Sequence, residues 1–147
     1  MLKAFGLGLF VLAATAGSAW ADNMCGDEPI APLIPTVSEM KLKTPTEAAT
    51  SRHTAFLEVK KWQSDLQSYR NCLGAAQTAD KRKIGEIQRS DKPDKDKIAG
   101  VQQDLTALGA AYDSSVDEEE RIVNDFHAAL VAYCVRPDVD RSACPKT

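Results

Sequence analysis

Two series of seam residues, mostly apolar, in which steps of four and three alternate constrain this chain more than any other feature. The first runs Ala55, Val59, Trp62, Leu66, Tyr69, Leu73, Ala76. The second runs Ile98, Val101, Leu105, Leu108, Tyr112, Ser115, Glu119, Ile122, Phe126, Ala129, Tyr133. Such spacing keeps one stripe on one face of an α-helix over many turns. A strand, whose side chains alternate with period two, cannot present it. The first series continues less cleanly to Ile84 and Ile87, where Asp80 and Lys83 take seam positions. A looser, wetter tip is expected there.

Thr44-Pro45-Thr46-Glu47 starts the first helix. Thr44 caps, Pro45 suits the first helical position, and Glu47 completes a capping box. Ser90-Asp91-Lys92-Pro93-Asp94 breaks the pattern, with Asp91 or Lys92 flanking a second helix and Pro93 in its first turn. Pro137 stops that helix soon after Cys134. The short connection makes the helices antiparallel neighbours, each arm about 43 residues or ~65 Å long. Folding about residue 92 puts Ile87 beside Ile98, Leu73 beside Tyr112, Val59 beside Phe126 and Arg52 beside Tyr133. The fold class read from this is all-α: a long, coiled-coil-like antiparallel two-helix hairpin. The alternative is a three-helix bundle with a break near Ser114, because Ser115 and Glu118 spell a second capping box. A flanking row, Val116, Val123 and Leu130, recurs every seven residues and invites a third element.

The chain divides into four stretches. Residues 1–21 read as a secretory signal, with Lys3 at its positive start, an uncharged apolar run from Ala4 to Ala14, and Ala19-Trp20-Ala21 as cleavage site. The run is short for a membrane span of ~20 residues. Asp22-Asn23-Met24 before Cys25 does not fit a lipid-attachment motif. Residues 22–43, with Pro29, Pro32 and Pro35, read as an extended strap too apolar for a solvated linker. Residues 44–135 form the hairpin, with its turn near 90–93, and residues 136–147 a tail. The expected location is periplasmic or secreted.

Export implies an oxidising compartment, so Cys25, Cys72, Cys134 and Cys144 are read as two disulfides. In a hairpin Cys72 and Cys134 lie some 21 residues, ~32 Å, apart along the axis, beyond the ~7 Å a disulfide spans between Cα atoms. The strap from Cys25 to Thr44 reaches up to ~60 Å, whereas Thr44 to Cys72 needs ~42 Å of helix. The expected pairs are therefore Cys25 with Cys72 and Cys134 with Cys144.

Little of the sequence spells chemistry. With 18 basic and 21 acidic residues the formal charge is −3, which gives no footprint for nucleic acid and no cationic face for anionic lipid. There is no C-x-x-C or C-x-x-C-H, no G-x-S-x-G, no H-E-x-x-H and no glycine-rich phosphate loop. No catalytic residue and no cofactor is assigned. The two histidines, His53 and His127, fall within about one turn of each other in the hairpin. They are weak candidates for a zinc or copper site, since no third ligand is fixed, and the plainer reading is two solvated side chains. In the acidic cluster Asp117-Glu118-Glu119-Glu120, Glu119 is expected to turn inward toward Arg70 or Arg121. Lys81-Arg82-Lys83 is a small basic spot diluted by nearby acids. Trp62 and Tyr69 read as core anchors.

Cys25-Gly26-Asp27-Glu28-Pro29-Ile30-Ala31-Pro32, Leu33-Ile34-Pro35 and Tyr69-Arg70-Asn71-Cys72-Leu73 resemble a group of small exported helical proteins of proteobacteria. The stretch from Tyr112 to Tyr133, with Val-Asp-Glu-Glu-Glu followed by Asn124 and Phe126, is similar to their late segment. The resemblance implies export and helical architecture and transfers no site residue. The function expected is a non-enzymatic interaction or structural module of the bacterial envelope, acting on a protein partner. The alternative is a small periplasmic chaperone, stress or metal-handling protein. The strap is expected to cover the row at Val116, Val123 and Leu130 and leave a monomer; a dimer follows if it does not.

Overall fold

The structure, a computed structural model, describes residues 24–145; the expected leader and its cleavage site lie outside the described residues. The described residues include the helices α1 (Val37–Leu42), α2 (Pro45–Gln88) and α3 (Lys95–Cys134), followed by a 3-10 turn at Arg141–Ala143. α2 and α3, 44 and 40 residues long, pack as an antiparallel hairpin.

The helix starts follow from local chemistry. At α2, Thr44 Oγ1 accepts from the Glu47 amide while the Glu47 carboxylate accepts from the Thr44 amide at 2.9 Å, with Pro45 at the first helical position. At α3 the cap is Asp94, whose Oδ1 accepts from the amides of Asp96 and Lys97. Pro93 therefore precedes the cap instead of sitting in the first turn. A carboxylate that satisfies two orphan amides sets the start more strongly than the fixed φ of a proline.

The end of the strap departs from the extended reading. Thr36 and Glu39 repeat the same capping box, and residues 37–42 turn into α1. The last proline is Pro35, so nothing blocks a helix once Thr36 has capped it. Met40, fully buried, anchors α1 against Ala48, Ala129, Ala132 and Tyr133. Arg136 completes the docking by donating to the carbonyls of Met40 and Lys43 at 2.7 and 2.9 Å, at the C-terminal end of α1 where carbonyls lack helical partners.

The rest of the strap has a three-residue rhythm. Ile30, Leu33 and Thr36 are exposed, while Ala31 and Ile34 turn in against the hairpin and the three prolines are half-buried. That is the period of a polyproline II helix, which needs no hydrogen bonds of its own. The hairpin reads it: Trp62 donates its indole N–H to the Pro29 carbonyl at 2.9 Å. Cys25 and Cys72 close the start of the strap, Cα atoms 5.6 Å apart, and Gly26 turns the chain away at φ +73°.

Every residue of the first seam from Ala55 to Ala76 is buried. On α3 only alternate members of the second seam are equally deep, namely Val101, Leu108, Ser115, Ile122 and Ala129, joined by Tyr133. Leu105, Glu119 and Phe126 are half-buried and Tyr112 is exposed. Between Ala76 and Val101 no residue is buried, so the tip is as wet as Asp80 and Lys83 require. α3 runs unbroken through Ser114, which removes the three-helix alternative. Ser115 does not cap a new helix because its hydroxyl is buried and committed: it donates to the Tyr112 carbonyl and accepts from Arg70.

Candidate functional site

The hairpin has two long sides, and the strap takes one of them. On one side the strap lies along Glu118, Arg121, Ile122, Asp125 and Ala128 of α3. Ile30 and Leu33 border the same groove and are 94% and 92% exposed. Pro29 and Ala31 continue into a shallow acidic groove with Glu28, Asp113, Asp117 and Glu118, relieved by Arg121. Burial, and then the charge of Glu118, raise the Glu28 pKa above the usual glutamate value, with Arg70 opposing. Arg121 grips both Glu118 and Asp125, and its pull lowers the Glu118 pKa.

The other side is open. Phe56 meets Phe126 at 6.3 Å between ring centroids. Phe56, Tyr112, Val116 and Val123 are 39–41% exposed. The strap was expected to cover the row at Val116, Val123 and Leu130, and it does not. Its course is fixed by Cys72 and Trp62, which bring it down the opposite flank of the seam. Only Leu130 gains some cover, beside the tail residues Arg141, Cys144 and Pro145.

A polar knot crosses the seam between these sides. Arg70 donates to the Ser115 hydroxyl at 2.8 Å, to the Ser115 carbonyl and to Glu119. Gln63 donates to the second Glu119 oxygen at 2.7 Å. The hydrogen bond from Arg70 is the main cause that holds the Glu119 pKa below the ordinary glutamate value, against the effect of burial. Glu119 thus turns inward, as its seam position required, and chooses Arg70 over Arg121. The remaining acids of the cluster, Asp117 and Glu120, stay exposed. The groups of the knot partner one another across the seam, which suits a register pin for the hairpin.

At the base of the hairpin, Cys134 joins Cys144 with Cα atoms 5.8 Å apart. Tyr133 donates to the Asp140 carbonyl, and the Arg52 guanidinium lies 5.3 Å from the Tyr133 ring centre. His53 and His127 are both exposed. Among the described residues no group of three or more His, Cys, Asp or Glu side chains is placed to hold a metal ion. Trp62 and Tyr69 are buried, as core anchors should be. Among the described residues no helix is long and apolar enough to cross a membrane. The exposed strap edge escaped the sequence reading, although the Pro-x-x-Pro-x-x-Pro period carries its signal. Compared with known proteins, the chain matches no family model, no curated protein and no solved structure.

Proposed function

We propose that this is an exported, non-enzymatic helical protein of the bacterial envelope, periplasmic or secreted, that offers its strap to a protein partner. The observation that carries this reading is the pair Ile30 and Leu33, almost wholly exposed on a segment held in place by a disulfide and the Trp62 hydrogen bond. A free peptide of this composition would lose conformational entropy on binding, whereas a tethered polyproline II edge has already lost it. Large apolar side chains displayed on a rigid support favour recognition by another protein. Export is supported by the leader-like segment Met1–Ala21 and by four cysteines all in disulfides.

The test has two arms. N-terminal sequencing of the full chain recovered from a bacterial periplasm or medium should begin at Asp22; a reduced chain that keeps Met1 in the cytoplasm overturns export. A photo-reactive residue at position 33 should form an adduct with one discrete protein in the cell. A control at the exposed Gln103 should not. Equal labelling at both positions overturns the strap as a docking surface.

A further inference from the structure

The open side of the hairpin has a periodic apolar stripe, and its flanks are charged in opposite senses. We propose that this side binds a second copy of the chain, hairpins parallel and tips together, with α2 of each copy lying over α3 of the other. The stripe consists of Phe56 on α2 with Tyr112, Val116, Val123, Phe126 and Leu130 on α3. The α3 residues hold one face over 18 residues, about 27 Å of helix. Two helix diameters make the side ~20 Å wide, so two copies bury on the order of 1,000 Å² together, the lower limit for a specific interface. A weak dimer, with Kd on the order of micromolar, follows from that size.

Charge selects the partner and its direction. The outer flank of α2 on this side carries Lys60 and Lys81 at seven-residue multiples and no acid. The outer flank of α3 on this side carries Glu120 and neither lysine nor arginine, whereas Asp113 belongs to the groove on the strap side. Among the described residues, Lys60, Lys81 and Glu120 enter no ion pair. A two-fold axis along the hairpin lays the basic flank of each copy over the acidic flank of the other. It puts Lys60 within about 8 Å, along the axis, of Glu120 in the second copy. The opposite direction would set Lys60 near its own copy and Glu120 among other acids, which costs energy. Phe56 of each copy then falls level with Leu130 and Phe126 of the other, continuing the ring contact that Phe56 and Phe126 begin within one chain. The product is a four-helix arrangement with the straps on its two outer surfaces. The inference uses the side away from the strap, so it stands or falls apart from the proposal above.

Sedimentation velocity on the oxidised chain over a concentration series reads the result. The expected outcome is a reversible dimer. Val116→Glu with Val123→Glu should raise Kd by more than about tenfold while far-UV circular dichroism is unchanged. Lys60→Glu and Glu120→Lys should each weaken the dimer about fivefold, and the double reversal should restore it. That arm decides the matter if the glutamate variant fails to fold. A monomer across the whole series overturns the proposal. A dimer indifferent to all four substitutions also overturns it, because the contact then lies elsewhere.

Discussion

Arg70 is the side chain on which the middle of the hairpin depends. Its side chain is 10% exposed, and it satisfies Ser115, whose residue is fully buried, together with Glu119, whose side chain is 27% exposed. Arg70→Ala takes the donor from the Ser115 hydroxyl and one of two donors from Glu119, which keeps only Gln63, and we expect a loss of about 2 kcal/mol in urea unfolding at neutral pH. The pH dependence follows from Glu119. Its folded pKa is depressed, so its stabilisation is present above the unfolded glutamate value, about 4.3, and is lost as pH falls through the lower folded value. The stability gap between the wild type and Arg70→Ala should therefore narrow on acidification below about pH 4. A gap that stays constant down to acid would show that Arg70 acts by packing alone. A second contrast separates the seam from its surroundings. Leu57 and Val59 are two residues apart and both apolar, yet Leu57 is 53% exposed and Val59 5%. Val59→Asp should cost several kcal/mol, about 3 or more, and Leu57→Asp under about 1. Equal thermal midpoints would contradict the seam.

At the scale of elements, the same four-residue device, Thr-x-x-Glu, starts both α1 and α2, but the two helices differ in what else holds them. α2 has a continuous seam behind its cap. α1 has six residues, one buried side chain and the Arg136 contacts. A helix this short is not stable on its own. Thr36→Ala should leave the global midpoint nearly unchanged while the amides of α1 lose protection in hydrogen exchange. Thr44→Ala should lower global stability by about 1 kcal/mol. If Thr36→Ala shifts the global midpoint as much as Thr44→Ala, α1 belongs to the cooperative core. The hairpin itself should exchange unevenly, with amides of residues 84–98 opening faster than those of 55–73, because burial ends at Ala76 and resumes at Val101.

For the whole molecule the strap is the third layer that a two-helix hairpin lacks, and the disulfides are what make it part of the fold. Cys25–Cys72 closes a separation of 47 residues and Cys134–Cys144 one of 10. By chain entropy alone these are worth about 4 and about 3 kcal/mol respectively. We expect the Cys25→Ser, Cys72→Ser pair to be the more destabilising of the two double variants in urea. We also expect it to shift Trp62 emission to the red, since a loosened strap uncovers the indole and its bond to Pro29. The Cys134→Ser, Cys144→Ser pair should leave Trp62 emission in place. The reverse order, or a red shift in both, would mean that the strap is held chiefly by its own side chains.

The sequence by itself determined the hairpin, its cap at Thr44 and its seam on α2, because heptad periodicity and capping chemistry are local and are written in order along the chain. It also pointed to the disulfide partners, because a stiff helix turns residue number into distance: Cys72 with Cys134 is excluded, and the strap brings Cys25 within reach of Cys72. Other features belonged to tertiary structure. Ser115 and Glu118 carry the same capping signal as Thr44 and Glu47, and only the arrival of Arg70 from the facing helix decides that Ser115 stays inside a continuous helix. Glu119 had two arginines within reach, and the packing of α2 against α3 chose between them. The side taken by the strap was the largest such decision. Nothing local to residues 22–43 says which flank of α3 they will meet. That choice is made where Cys72 and Trp62 project from α2, and it leaves Val116 and Val123 uncovered.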